Sequence, residues 1–131
     1  MQLLKEKRVR DVMTRGVVTV SFDTSVSEIA KLLVKEGVSG IAVTAPDDEV
    51  VGVISEIDLI NVFDKDWNTL TAEDVMSTFV RTIDPETTLK KAADIMRDLN
   101  IHRLLILSPI PAYGVPVGIL TASDILRASV K

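Results

Sequence analysis

The 131-residue sequence contains two copies of one pattern, so the fold has to accommodate an internal duplication. The tripeptide Asp-Val-Met occurs at residues 11–13 and again at residues 74–76, a spacing of 63 residues. Further matched pairs follow at spacings of 63 and then 66 residues: Thr19 with Thr82, Ala30 with Ala93, Val43 with Ile106, Gly52 with Gly118, Ser55 with Thr121 and Asp58 with Asp124. The change in spacing predicts a three-residue insertion in the Pro-rich segment 108–114. A period of this size indicates an architecture of two similar units.

The size of each copy bears on how the two copies pack. A unit of roughly 60 residues buries only about 60% of the surface of its unfolded chain and is marginally stable alone. We therefore expect residues 1–66, with an N-terminal helix, and residues 67–131 to share one core and form one compact module. Because 47% of the residues are hydrophobic and only 4% are aromatic, that core should be aliphatic.

Charge and hydropathy argue against several classes of function. Residues 1–66 carry eight basic and twelve acidic residues, whereas residues 67–131 carry seven of each. Neither half has the concentrated basic surface that binding to a phosphate backbone requires. No apolar run approaches the roughly 18 residues of a membrane span, and the N-terminus lacks the apolar stretch of a signal peptide. We therefore expect a soluble cytoplasmic protein without nucleic-acid or membrane partners.

Hydrophobic patterning predicts the order strand, helix, strand, strand, helix in each copy. The first strands are predicted at residues 17–20 and 79–83. The second and third strands are predicted at 41–44 and 50–54 in the first copy and at 104–107 and 115–120 in the second. Because these strands are almost continuously apolar, we expect sheets that are covered on both faces. The segment 64–69 joins the copies, and its Trp67 is predicted to dock against the core.

The first long helix of each copy has candidate capping residues at both ends. Ser25 and Glu28 fit a capping box at the start of the first helix, and Thr87 and Lys90 replace it in the second copy. The two helices should end at residues that tolerate a left-handed backbone, Gly37 and Asn100.

The tandem pattern resembles a pair of cystathionine-β-synthase (CBS) domains, also called a Bateman module. The resemblance covers essentially the whole chain. It rests on the two Asp-Val-Met tripeptides, the segments Gly-Val-Ser-Gly (37–40) and Asn-Ile-His-Arg (100–103), and the endings 52–59 and 118–125. It implies a mixed α/β fold of two pseudo-symmetric β-α-β-β-α repeats packed sheet to sheet, with two clefts for adenosine-containing ligands. CBS pairs commonly form disc-like dimers, so the resemblance also implies a homodimer.

The paired motifs Ser55-x-x-Asp58 and Thr121-x-x-Asp124 allow two interpretations. In the structural one, the hydroxyl caps the final helix and the acid reaches back to the backbone. In the functional one, the helix N-terminus and the hydroxyl bind a phosphate, and the carboxylate accepts hydrogen bonds from ribose hydroxyls. The resemblance favours the second interpretation, because the ribose-binding Asp of the CBS family occupies this position.

His102 and Arg103 are the candidate phosphate ligands of the second copy. The guanidinium of an arginine is a planar fork that suits phosphate. In the CBS family a His-Arg pair at this position can line the phosphate end of the cleft, and the resemblance implies that role here. The first copy has Ser39 and Gly40 instead, and Gly40 cannot contribute a charge. We therefore expect phosphate recognition to be stronger in the second copy.

The residues Thr19-Val20 and Thr82-Ile83 end the first predicted strand of each copy. In the CBS family the backbone and apolar side chains at this position contact the base, which implies the same role here. Val20 and Ile83 could equally be core residues. Both interpretations can hold, since pockets of this kind are mostly apolar with few polar groups.

These features favour a regulatory module that senses AMP, ADP, ATP or a related adenosyl ligand and acts on an unknown partner protein in trans. An S-adenosylmethionine sensor and a ligand-free dimerisation or interaction scaffold are the alternatives. Catalysis is not expected, because the chain has one histidine and lacks the nucleophile-elbow, Walker A and dinucleotide-binding motifs. Without cysteine there is no thiolate nucleophile or Cys-based metal site, and no required cofactor is expected.

Overall fold

A computed structural model shows a chain that divides into two compact units. Residues 18–80 form one of them, here called the contiguous unit, and residues 1–17 with 81–131 form the other, here called the composite unit. The residues that the structure describes are 4–38, 40–108 and 115–130. The predicted insertion at 108–114 therefore lies, except for Ser108, outside the described residues.

The helices and strands follow the predicted order within each copy. In chain order they are a 3-10 turn Leu4–Glu6, α1 Val9–Val12, β1 Thr14–Arg15, β2 Thr19–Ser21, α2 Val26–Glu36, β3 Gly40–Thr44, β4 Val50–Ser55, α3 Glu56–Ile60, α4 Ala72–Val75, β5 Thr82–Ile83, α5 Leu89–Leu99, β6 Arg103–Ser108, β7 Val115–Thr121 and α6 Ala122–Ser129. No helix in the described part of the chain is long and apolar enough to cross a bilayer.

The contiguous unit is built on a three-stranded sheet in the order β2-β3-β4. β2 runs parallel to β3, and β3 runs antiparallel to β4. The first strand begins at Thr19 instead of Val17, whereas the two strands after it lie where the sequence predicts. Trp67 docks as predicted: its Nε1 donates to the carbonyl of Val62 at 2.9 Å, and its ring packs against the core of the unit.

The composite unit has a four-stranded sheet in the order β1-β7-β6-β5. Only β5 and β6 are parallel neighbours, while β7 runs antiparallel to both β6 and β1. The strand predicted over residues 79–83 is limited to Thr82–Ile83. The residues before it have no strand assignment, although the carbonyl of Arg81 accepts from the amide of Leu105 at 3.0 Å, and Phe79 is 63% exposed.

Each long helix is capped by a side chain and ends in a left-handed residue. Ser25 Oγ accepts from the amide of Glu28 at 3.2 Å, which is one half of the predicted capping box. In the second copy the cap is Thr88, which accepts from the amide of Lys91 at 3.2 Å, so the prediction of Thr87 was wrong by one residue. The 63-residue spacing still holds at this point and takes Ser25 to Thr88. The predicted helix ends are confirmed, with φ values of 63° at Gly37 and 52° at Asn100.

The opening of each sequence repeat packs with the later part of the other repeat. The amide of Val9, in the first opening, donates to the carbonyl of Thr87 at 2.8 Å in the composite unit. The matching amide of Ala72, in the second opening, donates to the carbonyl of Thr24 at 2.8 Å in the contiguous unit. The boundaries of the two structural units therefore differ from the boundaries of the sequence repeats 1–66 and 67–131.

The buried apolar residues of the described chain form two clusters, one in each unit, and the single shared core that we expected stays a prediction. The helices of each unit cover one face of its own sheet, so apolar residues are buried locally; a fully buried aliphatic side chain contributes about 1.5–3 kcal/mol. The contiguous core contains Val20, Val26, Ile29, Leu33, Ile41, Val43, Ile54, Leu59 and Ala72. The composite core contains Val9, Met13, Leu89, Ala92, Met96, Leu104, Ile106 and Leu120.

Candidate functional site

The strand register places the polar candidates of the composite unit on one face of its sheet. Arg103 lies directly opposite Thr121, and Thr82 lies opposite Leu105. Residues opposite one another, and residues two apart along a strand, point to the same face. Arg103, Thr121 and Thr82 therefore share a face. The other face carries the buried core residues Leu104, Ile106 and Leu120.

The motif Thr121-x-x-Asp124 forms a complete capping box at the start of α6. The amide of Thr121 donates to Asp124 Oδ2 at 3.0 Å, and the amide of Asp124 donates to Thr121 Oγ1 at 3.1 Å. Asp124 is only 6% exposed and is the one buried polar residue in the described part of the chain. The structural interpretation of the motif is thus observed directly, and it leaves a buried carboxylate next to the face that carries Arg103 and Thr121.

Two further donors hold the Asp124 carboxylate, and neither was among the residues singled out from the sequence. The hydroxyl of Thr14 lies 3.3 Å from Oδ1, and the guanidinium of Arg127 donates to the same oxygen at 2.5 Å. Thr14 follows the first Asp-Val-Met tripeptide, and Ser77 follows the second. This repeated hydroxyl residue is the sequence signal that could have identified Thr14. Arg127 stands three residues after Asp124, a spacing that brings side chains together on a helix.

Arg103 has an unmet hydrogen-bonding requirement. Its Nε is buried and has no hydrogen-bond partner among the described residues. Its neighbour His102 has an exposed side chain, while its carbonyl accepts from the amide of Ala122 at 2.9 Å. Buried donors are normally satisfied, because an unpaired one costs free energy, so this guanidinium is suited to an acceptor supplied from outside the protein.

The contiguous unit repeats the arrangement with less polar chemistry. Ser55 donates to Asp58 Oδ2 through its amide at 2.7 Å and through its hydroxyl at 3.1 Å. Gly40 lies opposite Ser55, in the place that Arg103 occupies in the other unit, so this unit has no cation at that position. The predicted site residue Ser39 lies outside the described residues.

The four residues predicted to contact the base divide between two faces. Thr19 and Thr82 are exposed. Val20 is only 7% exposed and belongs to the contiguous core, and Ile83 packs against the composite core. Any base contact at these two positions would therefore use the backbone. β2 and β5 each lie at the end of their sheet's strand order, which leaves backbone groups on the outer edge without a strand partner in the described residues.

A third motif of the same type provides an internal comparison. Thr71 donates to Asp74 Oδ2 through its amide at 2.8 Å and through its hydroxyl at 3.1 Å, much as Ser55 does to Asp58. Asp74 is exposed, however, whereas Asp124 is buried. The hydroxyl-acid geometry alone therefore does not distinguish a capping box from a ligand site. The described residues also contain no group of three or more acidic or histidine side chains that could hold a metal ion.

The sequence matches the family model of the CBS domain twice, over residues 9–65 and 72–131. One relative is an uncharacterized protein of Methanopyrus kandleri, 32% identical over 127 residues, which are 95% of this chain and 63% of that protein. Another is an inosine-5′-monophosphate dehydrogenase of Korarchaeum cryptofilum, 31% identical over 119 residues, which are 91% of this chain but 24% of the enzyme. The chain thus spans from about a quarter to less than two thirds of these relatives.

Solved structures share the fold over nearly the whole chain. A conserved protein of uncharacterized function from Pyrococcus horikoshii has a TM-score of 0.83 at 27% identity, covering 97% of this chain and 95% of that one. The CBS pair of protein MJ0100, in complex with 5′-methylthioadenosine and S-adenosyl-L-methionine, has a TM-score of 0.81 at 25% identity, covering 94% and 95%. CBSX2 in complex with AMP has a TM-score of 0.77 at 26% identity, covering 94% and 96%.

The repeat, the strand order within each unit and the double family match lead to one assignment. This chain belongs to the CBS domain family and consists of a tandem CBS pair.

Proposed function

We propose that this CBS pair is a regulatory module that binds an adenosyl ligand, either an adenine nucleotide or S-adenosylmethionine. The observation that carries the proposal is the buried, unpartnered Nε of Arg103, which lies across the ladder from Thr121. Two structures similar to this chain hold AMP in one case and 5′-methylthioadenosine with S-adenosylmethionine in the other, and they support the ligand class.

In the composite unit, the proposed site is suited to a phosphate-bearing ligand. Arg103 would pair with the phosphate, and the resulting charge-assisted hydrogen bonds are roughly twice as strong as neutral ones. The α6 N-terminus adds a favourable dipole, and Asp124 would accept from the ribose. The proposed ligand contacts of this unit are Thr82, the Ile83 backbone, His102, Arg103, Thr121 and Asp124.

In the contiguous unit, the proposed site is suited to an uncharged adenosyl group. Gly40 supplies no charge, so a phosphate would gain little there. Asp58 retains acceptor capacity for a ribose, since Ser55 contacts only its Oδ2. The proposed ligand contacts of this unit are Thr19, the Val20 backbone, Ser39, Gly40, Ser55 and Asp58.

We further propose that the module acts through binding, on a partner protein in trans or through a homodimer, in the cytoplasm. A ligand can shift a conformational equilibrium only by its differential affinity for the two states. Couplings of this kind are typically about 1–3 kcal/mol. The chain spans only 24% of the dehydrogenase relative, so the chemistry of that enzyme is not part of the proposal.

An interaction scaffold is a second candidate, because apolar residues are exposed on and just after α3 and α6. Ile57, Ile60 and Phe63 are 61%, 58% and 75% exposed, and they follow a helical spacing. Leu126 and Val130 on and after α6 are 65% and 83% exposed. Clusters of exposed apolar side chains commonly mark protein interaction surfaces. This candidate requires no ligand.

Thermal denaturation with a panel of ligands separates the two candidates. AMP, ADP, ATP, S-adenosylmethionine and 5′-methylthioadenosine are added singly to the full chain. A ligand present at 100 times its dissociation constant stabilises the folded state by about 2.7 kcal/mol. A flat response to all five ligands would favour the scaffold. Thr71→Ala is the matched control for Thr121→Ala, because it removes the hydroxyl of a similar hydroxyl-acid motif away from the proposed site.

A further inference from the structure

The carboxylates of Asp124 and Asp58 differ in what surrounds them, and Arg127 causes much of the difference. The guanidinium of Arg127 donates to Asp124 Oδ1 at 2.5 Å, and the two side chains are 69% and 5% exposed. The matching position 66 residues earlier is Asn61, which is exposed and carries no charge. The ion pair of the composite unit therefore has no counterpart between Asn61 and Asp58.

The number of hydrogen-bond donors that contact the carboxylate differs between Asp124 and Asp58. An ionised carboxylate offers about four lone-pair positions. Asp124 accepts from three donors within 3.3 Å: the amide of Thr121, the hydroxyl of Thr14 and the guanidinium of Arg127. Asp58 accepts from the amide and hydroxyl of Ser55, both on Oδ2.

The open positions differ accordingly. In the described part of the contiguous unit, no donor reaches Oδ1 of Asp58. Ser77, the counterpart of Thr14, instead accepts through its hydroxyl from the amide of Phe79 at 3.3 Å. Asp58 therefore keeps about two acceptor positions, whereas Asp124 keeps about one.

A ribose 2′,3′-diol needs two acceptor positions to donate both of its hydroxyls to one carboxylate. We infer that Arg127 is an internal competitor for the ribose: an adenosyl ligand reaches full contact with Asp124 only by displacing the guanidinium from Oδ1. The inference rests on the proposed function and assigns an order to its two sites. Uncharged adenosyl ligands fill the contiguous unit first, while a phosphate-bearing ligand gains Arg103 in the composite unit and offsets the competition.

The size of the competition follows from the exposure of the pair. Arg127 is mostly exposed, and ion pairs with an exposed partner are weak even when the geometry is good. The buried carboxylate makes this pair stronger than one between two exposed side chains. We therefore expect Arg127 to weaken the binding of an uncharged adenosyl ligand by about three- to tenfold, not to abolish it.

Calorimetric titration of the full chain with 5′-methylthioadenosine, an uncharged probe, tests the competition. In an Asp58→Ala background, the remaining binding reports on the composite unit. There Arg127→Asn should tighten the dissociation constant about three- to tenfold. Arg97→Asn is the matched control, since Arg97 is 72% exposed and its acidic partners lie on its own helix, α5; it should change nothing.

The salt dependence gives a readout that a merely structural role would not change. Raising the ionic strength screens the ion pair of Arg127 but cannot act on a charge that the probe does not have. In the Asp58→Ala background, probe binding should therefore tighten as NaCl is raised. This response should disappear when Arg127→Asn is added.

The reciprocal variant Asn61→Arg places a competitor next to Asp58. In an Asp124→Ala background it should weaken probe binding about three- to tenfold. Asn61 is exposed, so this variant keeps the experiment decisive even if Arg127→Asn lowers stability. Unchanged or weaker binding in a folded Arg127→Asn protein, or no weakening by Asn61→Arg, overturns the inference and leaves the proposed function standing. If the unaltered chain binds no adenosyl ligand, both fail.

Discussion

The sulfur of Met76 lies 2.6 Å from the point that a Cβ atom on Gly52 would occupy. The same relationship joins Met13 to Gly118, where the corresponding distance is 2.9 Å. In both units the Met of an Asp-Val-Met opening thus covers the glycine in the third strand of the other repeat. This contact explains why a Gly and a Met recur at matched positions of the two copies.

Substitution of Gly52 by alanine should destabilise the contiguous unit. The added methyl would overlap the Met76 side chain and lie 3.0 Å from the carbonyl oxygen of Ser77, and overpacking of this kind typically costs about 1–3 kcal/mol. Chemical denaturation of Gly52→Ala measures the loss. The double variant Gly52→Ala/Met76→Ala should lose less than the sum of the two single variants, because the obstructing side chain is gone. Strict additivity would show that the contact is not the cause.

Val9 should be a stability determinant of the composite unit, although it lies in the first sequence repeat. Its side chain is completely buried in the composite core. Val9→Ala should cost about 1–3 kcal/mol, whereas Val34→Ala, at an 84% exposed position, should cost almost nothing. Hydrogen exchange should show the loss of protection within residues 81–131. A loss confined to residues 18–66 would contradict the assignment of the opening to the composite unit.

Arg103→Ala should weaken the binding of AMP and leave adenosine binding nearly unchanged. The guanidinium is proposed to contact only the phosphate, and hydrogen bonds to charged groups contribute about 1.5–3 kcal/mol, or roughly 10- to 100-fold in affinity. Calorimetry with both ligands measures the difference, and Arg97→Ala is the control. An equal loss for adenosine would mean that Arg103 has a structural role.

Asp124→Ala and Asp58→Ala should have different effects on different ligands. Arg103 lies beside the site of Asp124, so Asp124→Ala should weaken AMP binding more than Asp58→Ala does. Asp58→Ala should be the more damaging change for 5′-methylthioadenosine, because we infer that Arg127, which donates to Asp124, competes at the other carboxylate. Titrations of both variants with both ligands provide the comparison. Equal losses in all four experiments would reject the asymmetry between the units.

Asp94 on α5 should make a small contribution to stability that depends on pH. A hydrogen bond from Lys90 holds the pKa of this carboxyl below its usual value of 3.8. Because the folded-state pKa is lowered, the contribution is fully present above the unfolded-state pKa and is lost as the pH falls through the folded-state pKa. Asp94→Asn should therefore lower the melting temperature slightly at pH 6 and not at pH 2. Lys90→Met should have the same pH profile.

Local signals in the sequence predicted most of the secondary structure. The apolar runs of β3, β4, β6 and β7, the Ser25 cap and the helix ends at Gly37 and Asn100 depend on neighbours a few residues away. The prediction of Thr87 as a cap was wrong because two adjacent threonines are equivalent in composition. Only the 63-residue spacing, or the structure, selects Thr88.

The candidate site was predicted only in part. The sequence repeat indicated its hydroxyl-acid pairs, and the resemblance to CBS domains indicated Arg103. The position of Val20 in the core was left open, because alternation along a strand identifies two faces without saying which one is buried. Thr14 reaches Asp124 across 110 residues of sequence, and no local pattern predicts a contact at that separation.

The sequence by itself determined the duplication, the order of elements in each copy and the residue types at the two candidate sites, because these depend on spacing and on short-range preferences. Tertiary structure alone decided that each opening packs with the other repeat and which buried residues group in each unit. It also decided that Asp124 is buried and accepts a hydrogen bond from Arg127, for which Asp58 has no counterpart. These outcomes depend on which surfaces bury most apolar area together, and that is a property of the folded chain as a whole.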